Sequence, residues 1–367
     1  MMDAVITSRA TAALHNLFIG DALAMPVHWY YRVSDIDEAF PNGIKTFEAP
    51  PTFHPSSIMS LHSTSGGGRK EASGQNQISI VGDVILKGKV QYWDRPNVHY
   101  HQGMRAGDNT LNAHCALTLI EVMNAAGGHY DRDGFLRAYI QLMMADDSAH
   151  PDTYAESYHR GFFANLAKGA PPDQCAAVTH DTPSIGGLVT IAPLVVGERL
   201  RGTSLADTRQ LCREHLALTH PDDFLAEVCD AYVHLIDGLL FRQDDTQVQE
   251  LLLNAARGVS RRDLTKLVEG RRSEREVIGN VLSPACYISD AWPAVLYLAC
   301  KHHQDPLRAL QVNAELGGDN VHRGSVLGVL LGLIQGEAAG GLFDQLTKQA
   351  SISPAIEQLV SHGAAGL

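Results

Sequence analysis

Apolar residues recur at helical spacing over residues 4–23 and stop at Met25-Pro26, where proline cannot extend a helix. The pattern then changes. Residues 33–102 are rich in Pro, Gly, Ser and His, with Pro50-Pro51 and Gly66-Gly67-Gly68 among them. Inside this stretch, residues 78–86 and 89–93 flank a Lys87-Gly88 turn and predict a small hairpin. Irregular segments of this length in a compact domain are commonly lids or binding surfaces. Both ends of this one adjoin the candidate motifs described below, so it is expected over the mouth of a site.

From Asp108 onward helical spacing dominates. The apolar pattern predicts helices over residues 110–126, 131–144, 153–166, 185–200, 204–218, 221–241, 246–256, 292–301, 306–316 and 321–335. Asp131, Ser204 and Asp305 stand where N-caps belong, and Asp305 is followed by proline at the first helical position. No fixed-period repeat occurs. A chain of 367 residues exceeds the usual single-domain size. No linker divides it, however, so one domain over 1–367 is expected, with 33–102 as an irregular insertion.

Composition narrows the function classes. Hydrophobic residues at 45% and charged residues at 19% suit a globular core. A formal net charge of −12 argues against a nucleic-acid partner, which needs a basic face for phosphates. The six cysteines form no C-x-x-C pair and read as reduced core thiols. The N-terminal residues lack a secretory pattern, and the longest apolar runs, 186–196 and 325–334, are too short to span a bilayer. A cytoplasmic protein without membrane contact is expected, its oligomeric state left open.

Several chemical motifs are nearly present. Gly82 to Val90 resembles a phosphate-binding loop, but five residues separate its glycines and Val90 replaces the magnesium-binding hydroxyl. There is no G-x-S-x-G nucleophile elbow. His99-Tyr100-His101 offers two imidazoles on one side of an extended segment, although an isolated pair of this kind is more often structural.

Four segments in order carry a stronger signal. The first is Gly20-Asp21-Ala22-Leu23-Ala24-Met25-Pro26-Val27-His28, and the second is Gly107-Asp108-Asn109-Thr110. The third runs Ser184-Ile185-Gly186-Gly187 to Ala192-Pro193-Leu194, followed by Leu218-Thr219-His220-Pro221-Asp222. The fourth is Gly317-Gly318-Asp319-Asn320-Val321-His322-Arg323-Gly324 with a small-residue helix after it. Together they resemble the G-D-A-L, T-D-D-T, S-x-G-N-G with L-T-H-P-D, and G-G-D-T-D-T motifs of the ADP-ribosylglycohydrolase superfamily. That superfamily includes dinitrogenase-reductase-activating glycohydrolases and J-crystallin-like proteins.

The resemblance implies an all-α orthogonal helical bundle around a central site, with the irregular insertion and its hairpin at the margin. It implies an ADP-ribose-type nucleotide or an ADP-ribosylated substrate as ligand, and magnesium or manganese as cofactor. Asp108, Asp319, His322 and His28 take the catalytic positions. Asn109, Asn320, Arg323, Gly186, Gly187 and His101 are candidate ligand-binding residues, and Asp108, Asp319 and His322 candidate metal ligands. The matching positions are altered: Gly107 replaces Thr, Asn109 and Val321 replace Asp, His322 replaces Thr, and His28 replaces Glu. A valine cannot ligate a cation, and the remaining donors suit two hard divalent ions poorly. One softer metal or none is expected.

The same residues also have structural readings. Asp108 and Asp319 are placed to cap helices, Asp21 to hold a turn, His220 to start a helix, and Arg323 to form a salt bridge. The leading expectation is a hydrolase of ADP-ribose glycosidic bonds, or of a related nucleotide-sugar, with a non-standard site. The alternative is a catalytically inactive nucleotide-binding pseudoenzyme or a crystallin-like structural protein.

Overall fold

The computed structural model describes residues 2–59, 79–146 and 149–364. The glycines at 66–68 and Ile78 lie outside the described residues. The helices in chain order begin with α1 (Met2–Ala24), α2 (Val33–Ala39), α3 (Leu111–Ala125), α4 (Arg132–Met144) and α5 (Ser157–Ala167). There follow α6 (Ile191–Leu200), α7 (Leu205–Ala217), α8 (Asp223–Phe241), α9 (Val248–Asn254), α10 (Leu264–Glu269) and α11 (Glu274–Glu276). The last are α12 (Ile288–His302), α13 (Pro306–Glu315), α14 (Asn320–Gln335) and α15 (Gln349–Ala364). Among the described residues there is no β-sheet, only isolated bridges such as Phe53–Val98 and Ser184–Tyr287. The fold is all-α.

Local chemistry explains several boundaries. Asp131, Ser204 and Asp305 each accept a hydrogen bond from the backbone amide three residues on, as N-caps do. α5 begins only at Ser157, because Asp152 uses its carboxylate on the amides of Leu111 and Tyr154 and keeps the chain extended there. The expected helix over 185–200 is broken into a tight 3-10 turn, Ile185–Leu188, and α6. α2, α10, α11 and α15 have no counterpart in the expected set.

The expected hairpin is not formed by the described residues from Ser79 onward. Gly82 adopts φ 97°, and the Ile85 amide turns back to the Ile80 carbonyl, closing a tight loop over Ile80–Val84. Val90–Tyr92 forms a separate 3-10 turn. The alternation that suggested strands instead sends Val81, Ile85 and Trp93 individually into the core.

α14 is buried all round from Asn320 to Ile334 and is apolar on every side beyond Ser325, which marks it as the central helix. α1 lies against it through small residues. A Cβ on Gly328 would stand 2.1 Å from the Asn16 carbonyl oxygen, and one on Gly332 would stand 2.3 Å from that of Ala12. Among the described residues no single helix is long and apolar enough to cross a membrane. All six cysteines are buried and unpaired.

Candidate active site

Pro26 ends α1 and leads into a 3-10 turn, Met25–Val27, after which His28 leaves the helix axis. The next residues are clamped to the loop before α14. The Trp29 amide donates to the Gly318 carbonyl at 2.8 Å, and the Gly318 amide returns a bond to the Tyr30 carbonyl at 2.6 Å. That loop needs its glycines: Gly317 and Gly318 both have φ 63°, and a Cβ on Gly318 would lie 2.0 Å from the Pro284 carbonyl oxygen. Asp319 then stands at the N-cap of α14, with His322 one turn further along.

Asp319 does not use its carboxylate as a cap. Oδ1 lies 3.2 Å from His28 Nε2 and 2.8 Å from His322 Nδ1. The other nitrogen of His28, Nδ1, is 2.7 Å from His101 Nε2, and His101 Nδ1 is 2.7 Å from Asp152 Oδ1. On the far side of His322, Nε2 faces Glu156 Oε1 at 3.4 Å and contacts the Asn112 amide. Asn112 in turn meets the Tyr158 hydroxyl and His159. His28, His101, Asp152, Glu156, Asp319 and His322 are all buried.

Burial and pairing separate the charge states. Burial pushes His28 down to about 3, although Asp319 opposes this. Burial also works against a charged His322, but the Asp319 and Glu156 carboxylates outweigh it and push that imidazole up to about 9. Asp319 would be raised by burial, yet His322 and His28 hold it well below the carboxylate range. Burial pushes Glu156 up to about 7, with His322 opposing. Burial and pairing thus act in opposite directions on the two imidazoles that flank the Asp319 carboxylate.

The other sequence-derived candidates are placed as follows. Asp108 lies outside the cluster of donor atoms: its carboxylate accepts from the Thr347 hydroxyl at 2.6 Å and the Arg105 amide at 2.7 Å. The N-cap of α3 is Thr110 rather than Asp108. Asn109 donates to the Phe18 carbonyl and to Asp21, whose carboxylate also takes the Thr110 amide and hydroxyl. Asn320 donates to the Ala314 carbonyl. Arg323 bonds Asn313 and the carbonyls of Gly317 and Pro284, so its guanidinium braces the loop that presents Asp319. Gly186 packs on the His322 ring, and Gly187 packs against Leu216 and His220.

His99 accepts from the His101 amide and reaches the Pro26 carbonyl, so the two imidazoles of the H-x-H segment divide structural and site positions. Sequence reasoning missed Asp152, Glu156 and Asn112. They belong to no spaced motif, and an acid ahead of a helix reads as an ordinary cap.

A cavity of about 390 Å³ adjoins this centre, walled by Trp29, Tyr31, Tyr100, Tyr154 and Tyr287, with Asp181 on its polar side. Ser56 and Ile58, from the irregular insertion, also line it. The Trp29 ring stacks on His28 with centroids 4.7 Å apart, and Tyr154 meets His101 edge-on at 6.3 Å. The cavity wall is thus one ring thick in front of the histidines.

Two hard magnesium or manganese ions do not fit this donor set. Val321, completely buried, brings no donor, and among the described residues the cluster able to hold a metal is His28, Asp319 and His322.

A search of curated protein sequences finds no match. A solved structure titled "ADP-ribosylglycohydrolase-related protein complex" is similar in fold, with a TM-score of 0.58 at 18% identity, covering 98% of this chain and 99% of that one. The ADP-ribosylglycohydrolase family matches residues 2–362. With that match spanning nearly its whole length, the chain belongs to the ADP-ribosylglycohydrolase family.

Proposed function

We propose that the protein hydrolyses a glycosidic bond to ADP-ribose, or to a closely related nucleotide-sugar, at the aromatic cavity and the polar centre behind it. The observation that carries this reading is their juxtaposition: five aromatic rings line a nucleotide-sized space whose inner wall backs onto a buried Asp, Glu and His cluster. Aromatic faces stack on bases with little regard to sequence. Hydrolysis adds water at the anomeric carbon and sends the departing group away with a proton. Buried carboxylates and imidazoles are the groups that move such protons.

A second reading has one observation in its favour. Trp29 covers His28, and the cluster is closed to solvent, as suits a protein that binds a nucleotide without turning it over. One experiment separates the two. Calorimetry with ADP-ribose is paired with mass-spectrometric detection of ADP-ribose released from mono-ADP-ribosylated peptides, for wild type and Asp319→Asn. Binding with release that Asp319→Asn abolishes supports the hydrolase; binding without release supports the second reading. Neither binding nor release overturns both.

A further inference from the structure

We propose that His28 Nε2, an Asp319 carboxylate oxygen and His322 Nδ1 form a mononuclear centre for one divalent transition-metal ion of the zinc class. The inference concerns the same centre as the proposed hydrolase but rests on its geometry, not on the reaction.

The three donor atoms lie within 4.8 Å of one another, with Asp319 Oδ1 at 3.2 Å from His28 Nε2 and 2.8 Å from His322 Nδ1. Zinc-type bonds of about 2.0–2.2 Å place neighbouring ligand atoms roughly 3 Å apart. Two imidazole nitrogens and one carboxylate favour zinc or iron(II) over magnesium, and three protein ligands leave a coordination position open.

The outer contacts match those of metal-bound histidines, which donate their second N–H to a carboxylate or another acceptor. His28 does so through His101 to Asp152; His322 Nε2 lies 3.4 Å from Glu156 Oε1, beside the Asn112 side-chain amide. Glu156 Oε2 is buried without a hydrogen bond. Beside His322 the chain carries Gly186, where a Cβ would lie 3.4 Å from Nδ1, so no side chain fills that flank of the centre.

The test uses the full chain, stripped with a chelator and dialysed against zinc, cobalt(II) or magnesium. The expected result is one zinc or cobalt per chain by elemental analysis, not displaced by millimolar magnesium. Cobalt should shift two exchangeable imidazole N–H resonances in the wild-type NMR spectrum, a readout that needs no variant. His101→Asn, which does not touch the ion, should weaken zinc binding about tenfold, and His28→Asn should weaken it further. A folded wild type that takes up neither ion, uptake with no shifted imidazole signals, or unchanged affinity in folded His28→Asn would overturn the proposal. Zinc uptake without hydrolysis would remove the hydrolase reading and leave this one standing; hydrolysis by a protein that takes up neither ion would do the reverse.

Discussion

A Cβ on Gly20 would lie 2.1 Å from the carbonyl oxygen of Gly324, so α1 and α14 meet backbone to backbone beside the candidate site. Gly324 stands two residues beyond His322, and α1 leads into His28. The spacing of the two imidazoles therefore depends on the closeness of these helices. Such contact is open only to glycine, because any side chain there would force the axes apart.

Gly324→Ala should consequently act on both stability and site. Its methyl group would stand 2.5 Å from the Gly20 carbonyl oxygen, a backbone atom that cannot rotate away. Overpacking of this kind costs about 1–3 kcal/mol. The urea midpoint should fall, and zinc affinity should fall with it as His28 and His322 separate. An unchanged midpoint would show that the helices shift freely.

The helices were legible in the sequence where one face is apolar and the ends carry caps. α4 with Asp131, α7 with Ser204 and α13 with Asp305 are examples. α2 and α15 were not, because short or weakly bounded segments gain their helicity from packing rather than from pattern. The hairpin was misread because alternation reports which residues are buried, and Gly82 allows Val81 and Ile85 to be buried without a partner strand. His28, Asp319 and His322 could be found through ordered motifs. Asp152 and Glu156 could not, since their part in the site depends on the position of α5 in space, which no local spacing records.

Asp21 shows how a motif residue can be structural. Its buried carboxylate accepts the Thr110 amide and hydroxyl and the Asn109 side chain, joining α1 to the start of α3. Asp21→Ala would leave these donors without that acceptor in a dry interior. The expected loss is about 3 kcal/mol or more, read from chemical denaturation at neutral pH. A loss below about 1 kcal/mol would mean that the donors find other partners.

Tyr287 tests the cavity. Its side chain is partly exposed at the edge of the space and lies outside the buried polar cluster. If the cavity holds the base of ADP-ribose, Tyr287→Ala should weaken binding roughly tenfold, the scale of one lost stacking contact of about 1–3 kcal/mol. The melting temperature should change little. Calorimetric affinity equal to that of wild type would place the nucleotide elsewhere.

Acid sensitivity follows from histidines away from the centre. Burial pushes His215 down to about 3; burial, reinforced by His150 and Lys348, pushes His114 to about 3; and burial, partly opposed by Asp152, pushes His150 to about 4. In the unfolded chain each returns to its ordinary value near 6.5. Above that value both states are neutral and these groups leave stability unchanged. Below it the unfolded chain binds protons that the folded chain refuses, so stability falls as pH falls, until the folded values are reached. Each histidine contributes a slope of about 1.4 kcal/mol per pH unit within that window. These three histidines should therefore leave the urea midpoint unchanged above about pH 7 and lower it steeply between about pH 6 and pH 4.5. His215→Gln, which can keep a polar contact with Tyr130 or Thr190, should reduce that slope by one proton. A wild-type midpoint flat to pH 4.5 would mean that these imidazoles take up protons while buried, and the variant would then have no slope to reduce.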